Sequence, residues 1–238
     1  MTMIASAFIF LFAATADVNG LKGSLPGADE VIAKMVQRDN ERQSALDGYT
    51  AIRRYVLENP RQHKRAEMIV RVTCLKDGSK RFETISSSGW RGALKHVFPR
   101  LLEAEAEAAY PGRREQSRVT PNNYSFEMIG QDNVNGRPVY VMEVTPKLPK
   151  KFLMRGKIWV DAEDYAIVRM QGMPAKNPSF WIKSVYFAHT YEKHGLFWFP
   201  VSDESLTDVL IFGPTELRIY YFDYVPKASV LSVLPDFL

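Results

Sequence analysis

The sequence predicts an α+β fold in which a one-sided antiparallel sheet is covered by a few helices. Three observations carry this: many short β-forming segments follow one another across tight turns, several of them alternate apolar and polar residues, and only two stretches show a helical period. A chain of 238 residues with 46% hydrophobic and 24% charged residues can bury a sizeable core, so a disordered state is excluded.

The first helix is expected over Asp29 to Leu46, where Val31, Ile32, Met35 and Val36 share one face and Gly48 follows. Strands are expected at Tyr49 to Leu57, Glu67 to Leu75, Lys80 to Ser86, Tyr124 to Ile129 and Val139 to Val144. Five more follow at Lys157 to Val160, Ala166 to Gln171, Lys183 to Glu192, Ser205 to Phe212 and Glu216 to Tyr224. Asp77-Gly78, Asn135-Gly136 and His194-Gly195 supply turns. The meander is interrupted at Arg91 to Ala109, which reads as one or two helices bent near Pro99. No repeat or composition break divides the chain.

The alternation assigns faces. Met68, Val70, Val72 and Cys74 lie opposite Ile69, Arg71 and Thr73, and Tyr124, Phe126 and Met128 lie opposite Ser125, Glu127 and Ile129. Tyr140, Met142 and Val144 repeat the pattern. In the hairpin at Arg155 to Gly172, a three-residue loop of Ala162, Glu163 and Asp164 sets Val160 opposite Ala166 and Ile158 opposite Val168. Its apolar side is then Ile158, Val160, Ala166, Val168 and Met170. Trp159 falls on the other side, near Lys157 and Arg169, as a cation-π partner; Asp164 takes the left-handed position.

The start, MTMIASAFIFLFAATADVNG, holds an apolar run from Ile4 to Ala14 and a small-x-small site at Ala14-Thr15-Ala16. This predicts a signal peptide over residues 1–16 and a single domain over 17–238, hence a periplasmic protein; Met1 to Met3 lacks a basic residue, which leaves an uncleaved anchor as the alternative. The single cysteine, Cys74, excludes an intramolecular disulfide.

Catalytic signatures are not evident. His63, His96, His189 and His194 have no metal-ligand spacing and read as surface histidines. Asp161, Glu163 and Asp164 read as turn formers, and Cys74 as a small hydrophobe. The excess of 31 basic over 27 acidic residues is too small for a nucleic-acid signature, and no cofactor or metal is expected. What remains is the apolar face with its methionines, suited to an adaptable apolar ligand.

Three stretches, MVQRDNERQSALDGYTAIRRYVL, GKIWVDAEDYAIVRMQG and FWIKSVYFAHTYEKHGLFWFP, resemble the LolA/LolB-like superfamily of exported lipoprotein carriers. The resemblance implies a curved antiparallel sheet forming an incomplete barrel, with helices covering a concave apolar face that holds acyl chains. On that reading the protein is a non-enzymatic carrier and a monomer. Its ligand is a lipid or lipoprotein acyl moiety, and its partner a membrane-bound donor or acceptor protein. The rival is an envelope-stress sensing or protein-interaction domain of the same fold. The candidate cavity residues are Met68, Val70, Val72, Phe82, Phe126, Met128, Tyr140, Met142, Ile158, Val160, Val168, Met170, Phe180 and Trp181.

Overall fold

Helix α1 spans Ala28–Ala45 and buries Val31, Ile32 and Met35, whose spacing puts them on one face. Three strands follow, β1 at Leu46–Asn59, β2 at Lys64–Leu75 and β3 at Lys80–Gly89. Seven more close the chain: β4 at Tyr124–Val134, β5 at Arg137–Pro146, β6 at Met154–Asp161, β7 at Ile167–Pro174, β8 at Ile182–His194, β9 at Phe197–Val209 and β10 at Gly213–Ala228. This computed structural model describes residues 25–177, 182–210 and 213–228. The expected signal peptide and the Phe180 and Trp181 positions lie outside the described residues.

All ten strands form one antiparallel sheet in the order β3-β2-β1-β10-β9-β8-β7-β6-β5-β4. Apart from β3 and β4, neighbours in the chain are neighbours in the sheet, and β1 pairs with β10 as the third and fourth strands of the order. The edges are therefore β3 and β4, which do not pair, so the barrel stays open. The connection between those edges carries the remaining helices. It begins with a π-helical turn at Ala93–Val97, continues as α2 at Phe98–Ala109 and ends as α3 at Pro111–Ser117. Pro99 sits in the first turn of α2, where its missing N–H costs nothing, and the π turn absorbs the bend expected there. α3, with Pro111 in its first turn, escapes the sequence reading because seven residues are too few to display a period.

The turn at Asn135-Gly136 has both residues at positive φ, 52° and 82°, as a two-residue hairpin between right-twisted strands requires. β9 begins at Phe197, well before the predicted Ser205, because Phe197 and Phe199 pack with Tyr49 of β1 in a core cluster that Tyr224 of β10 borders. The Phe199 and Tyr224 rings stack with centroids 4.4 Å apart.

The β6–β7 hairpin corrects the expected register. Ile158 pairs with Met170 and Trp159 with Arg169, and a bulge then sets Val160 opposite Ile167. The bulge turns Val168 to the outer face and Ile167 inward. The left-handed position belongs to Tyr165, at φ 52°, rather than Asp164. What fixes this loop is Asp161, 0% exposed, whose Oδ1 accepts the backbone N–H of Glu163 at 3.0 Å and Asp164 at 2.7 Å. Arg137 holds the same carboxylate in a fork at 2.5 and 2.9 Å. Burial pushes the Asp161 carboxyl up, but Arg137 and the two N–H groups leave it lowered on balance.

Trp159 does lie on the outer face. It is 9% exposed, packed with Val139, Val141 and Val168, and the Arg169 guanidinium sits 5.2 Å above its ring. Its indole N–H donates to Asp132 Oδ2 at 3.2 Å.

Candidate functional site

The concave face is divided into two sealed zones and a central opening. On the β1–β3 side, Tyr55, Leu57, Ala66, Met68, Val70 and Val72 are buried against Ala93 and Phe98, with Leu94, Val97, Leu101 and Leu102 joining from the helical segment. On the β4–β7 side, Tyr124, Met142, Val144, Ile158 and Val160 are buried against Val31, Ile32 and Met35 of α1. Each amphipathic helix thus fills the sheet face it covers.

A buried charge cluster fastens α2 to the first zone. Arg53, 1% exposed, points inward from β1 and donates to Glu105 of α2 at 2.6 and 2.7 Å. Lys80 of β3 reaches the same carboxylate at 2.7 Å, and the ring of Tyr221 lies 4.7 Å from the Arg53 guanidinium carbon. Burial alone would raise the Glu105 pKa; Lys80 and Arg53 overcome it and hold the carboxyl at about 2. Burial would equally lower Arg53, yet Glu105 raises it, so the cluster stays ionised.

Between the two zones lies a cavity of about 540 Å³, within the roughly 300–1,000 Å³ range of ligand sites. Its walls are Tyr124, Leu153, Met154, Met170 and Phe187 from the sheet side, with Ala104 of α2, Ser117 of α3 and Phe152 of the β5–β6 loop. The Tyr124 hydroxyl accepts the Met154 backbone N–H at 3.1 Å, which satisfies that N–H on an otherwise apolar wall. Lys151, Lys176, Asn177 and His189 supply polar groups. Two smaller cavities of about 310 and 340 Å³ flank it around Tyr49 and Arg114, and Met170 stands between the first of these and the largest. Tyr191, raised above the usual phenol range by burial, lines the 310 Å³ space. Among the described residues, no three His, Cys, Asp or Glu side chains are grouped to hold a metal ion. Also among them, no helix is long and apolar enough to cross a membrane.

The predicted site residues distribute over these zones. Met68, Val70, Val72 and Phe82 belong to the α2-sealed core, and Met142, Ile158 and Val160 to the α1-sealed core. Phe126, Met128 and Tyr140 pack half-buried at the margin of the latter. Val168 is on the outer face. Of the predicted residues that are described, only Met170 reaches the 540 Å³ cavity. Tyr124, Phe152, Leu153, Met154, Phe187 and His189 were not predicted to line it. Tyr124 carried the alternation signal on its strand, whereas Phe187 lies in the run Val185 to Ala188, which does not alternate, and Phe152 and Leu153 sit in a loop with no period to read. His189 does not behave as a surface histidine: its side chain is 31% exposed, and Nδ1 lies 2.6 Å from Asp203 Oδ1. Cys74 is half-buried beside Tyr49, and burial pushes its thiol up, away from nucleophilic character.

No protein-family model matches the chain, and no curated protein matches it in sequence. Solved structures do resemble it. A domain described as that of an outer membrane lipoprotein-sorting protein from Vibrio parahaemolyticus is 14% identical, with 88% of this chain and 96% of that one covered and a TM-score of 0.46. A DUF1329 family protein from Desulfovibrio piger is 12% identical over 87% and 95%, with a TM-score of 0.43. A LolA superfamily protein from Nitrosomonas europaea is 10% identical over 87% and 99%, with a TM-score of 0.38. These include the group that the sequence resembles, and at such identities none of them assigns a function.

Proposed function

We propose that the protein is an exported, non-enzymatic carrier that holds an acyl chain of a lipid or lipoprotein in the central cavity of its half-barrel. The observation that carries this is the apolar cavity of about 540 Å³, walled by Tyr124, Leu153, Met154, Met170 and Phe187 between the two filled zones. Each methylene transferred there from water contributes about 0.8 kcal/mol, so a chain needs no catalytic or strongly polar group to bind. Two methionines on the wall adapt to chains of different bend. The carrier acts in the periplasm, as a monomer, between a membrane-bound donor and an acceptor.

A second reading, envelope sensing through protein contact, is favoured by a different observation. Most of the concave face is filled by the chain's own side chains, while Tyr186, Leu206, Tyr220 and Phe222 are exposed on β8, β9 and β10. Native mass spectrometry of the chain from Asp17 onward, mixed with phospholipid and lipopeptide, separates the two. The carrier reading expects one acyl species per protein; no uptake of either would overturn it.

A further inference from the structure

Resting on the acyl-cavity reading, we infer that the bound chain carries an acidic head group and that His189, beside Asp203, receives it. In the sheet His189 is the register partner of both Met170 and Asp203, which puts its side chain on the concave side, and its ring lines the 540 Å³ cavity. Nδ1 stands 2.6 Å from Asp203 Oδ1. Two bare acceptors would repel at that distance, so Nδ1 is the edge that bears the hydrogen, although the contact is not aligned as a hydrogen bond and the buried Oδ1 accepts none. The other Asp203 oxygen accepts the hydroxyl of Tyr221, whose proton is held by burial and by that carboxylate. The carboxylate is therefore held through Oδ2 by Tyr221, while Oδ1 faces the His189 ring at close range.

This leaves Nε2 as the polar edge of the ring. Among the described residues nothing bonds to it, and a polar atom on an apolar wall is costly until water or a ligand meets it. A carboxylic or phosphoric acid head suits that edge, because the proton shared between its oxygen and Nε2 makes a charge-assisted hydrogen bond when it resides on the ring and a neutral one when it resides on a carboxylic acid. An alcohol can offer only the neutral bond. The cations agree: Lys151 and Lys176 line the same cavity. Lys151 is 2.7 Å from Glu107, whereas Lys176 has no ion pair among the described residues.

The test compares three probes with the same tail: hexadecanoate, hexadecyl phosphate and 1-hexadecanol, titrated into the purified chain by calorimetry. Both acids should bind about tenfold or more tightly than the alcohol. The tighter of the two identifies whether a fatty acid or a phosphorylated lipid is the source. His189→Phe, which keeps the ring contact with Phe187, and Asp203→Asn, which removes the neighbouring charge, should each erase the preference, lowering affinity for both acids about tenfold or more and for the alcohol by less. Should a variant not fold, the ¹⁵N resonance of His189 Nε2 in the unaltered protein decides: it moves with hexadecanoate, and a resonance that stays put overturns the assignment. Equal affinity for all three probes, or a preference surviving both substitutions, overturns the head-group assignment but leaves the acyl cavity standing. Uptake of none of the three defeats the acyl-cavity reading itself.

Discussion

The two sides of the concave face meet the same problem, an apolar sheet surface to be kept from water, and meet it to different degrees. Over β1–β3, α2 lays Phe98 and Leu101 into the sheet and is fastened by Glu105 to Arg53 and Lys80. Toward β6–β8 the cover is thinner among the described residues: α1 seals Met142, Ile158 and Val160, while Met170 and Phe187 pack half-buried at the margin and line the 540 Å³ cavity. Where the cover is complete the side chains contribute to stability, and where it fails they are free to contribute to binding.

Substitutions should separate the two regions. Met142→Glu places a carboxylate in a fully buried core position and should cost more than about 4 kcal/mol, abolishing the cooperative transition in urea. Met170→Glu, at the cavity, should leave that transition standing while ending uptake of an acyl probe. If both variants unfold alike, the distinction between the regions fails.

Glu105→Gln removes the clamp and leaves Arg53 buried without its counter-charge, for which about 3–5 kcal/mol of destabilisation is expected in urea titration. The same pair sets a pH dependence. The Glu105 carboxyl is lowered from the ordinary 4.5 to about 2, so its contribution is complete above 4.5 and is lost as pH falls toward 2. Thermal melts between pH 5 and pH 2 should show this loss, and Glu105→Gln should flatten it.

Gly172→Ala is smaller in scale. Gly156 and Gly172 face each other across β6 and β7, and a Cβ at Gly172 would come 2.2 Å from the Arg155 carbonyl oxygen. The strands must part there, at about 1–3 kcal/mol. Least of all, Trp159→Phe loses one hydrogen bond and part of the Arg169 contact, about 0.5–1 kcal/mol, with acyl uptake unchanged because the ring is on the outer face.

Much of the architecture was legible before any coordinates, because it rests on local chemistry. Alternation in β2, β4 and β5 placed Met68, Phe126 and Met142 inward, and Asn135-Gly136 announced its turn. Two kinds of information were not legible. A bulge is a one-residue event that leaves no mark in alternation, so Val168 and Ile167 exchanged faces unnoticed. Which part of an apolar face stays uncovered depends on where distant helices land, so burial pattern could not tell Val70, sealed under α2, from Met170, open to the cavity. The ion cluster of Arg53, Lys80 and Glu105 joins three separate segments, and no spacing along the chain betrays it.

The central claim is that the space beside Met170 is where an acyl chain goes. Met170→Trp fills that space without adding charge, and uptake of hexadecanoate by this variant, followed by native mass spectrometry alongside a thermal melt, tests the claim directly. The account predicts that uptake disappears while the melting temperature holds or rises. Uptake equal to that of the unaltered chain in a folded Met170→Trp variant would contradict it.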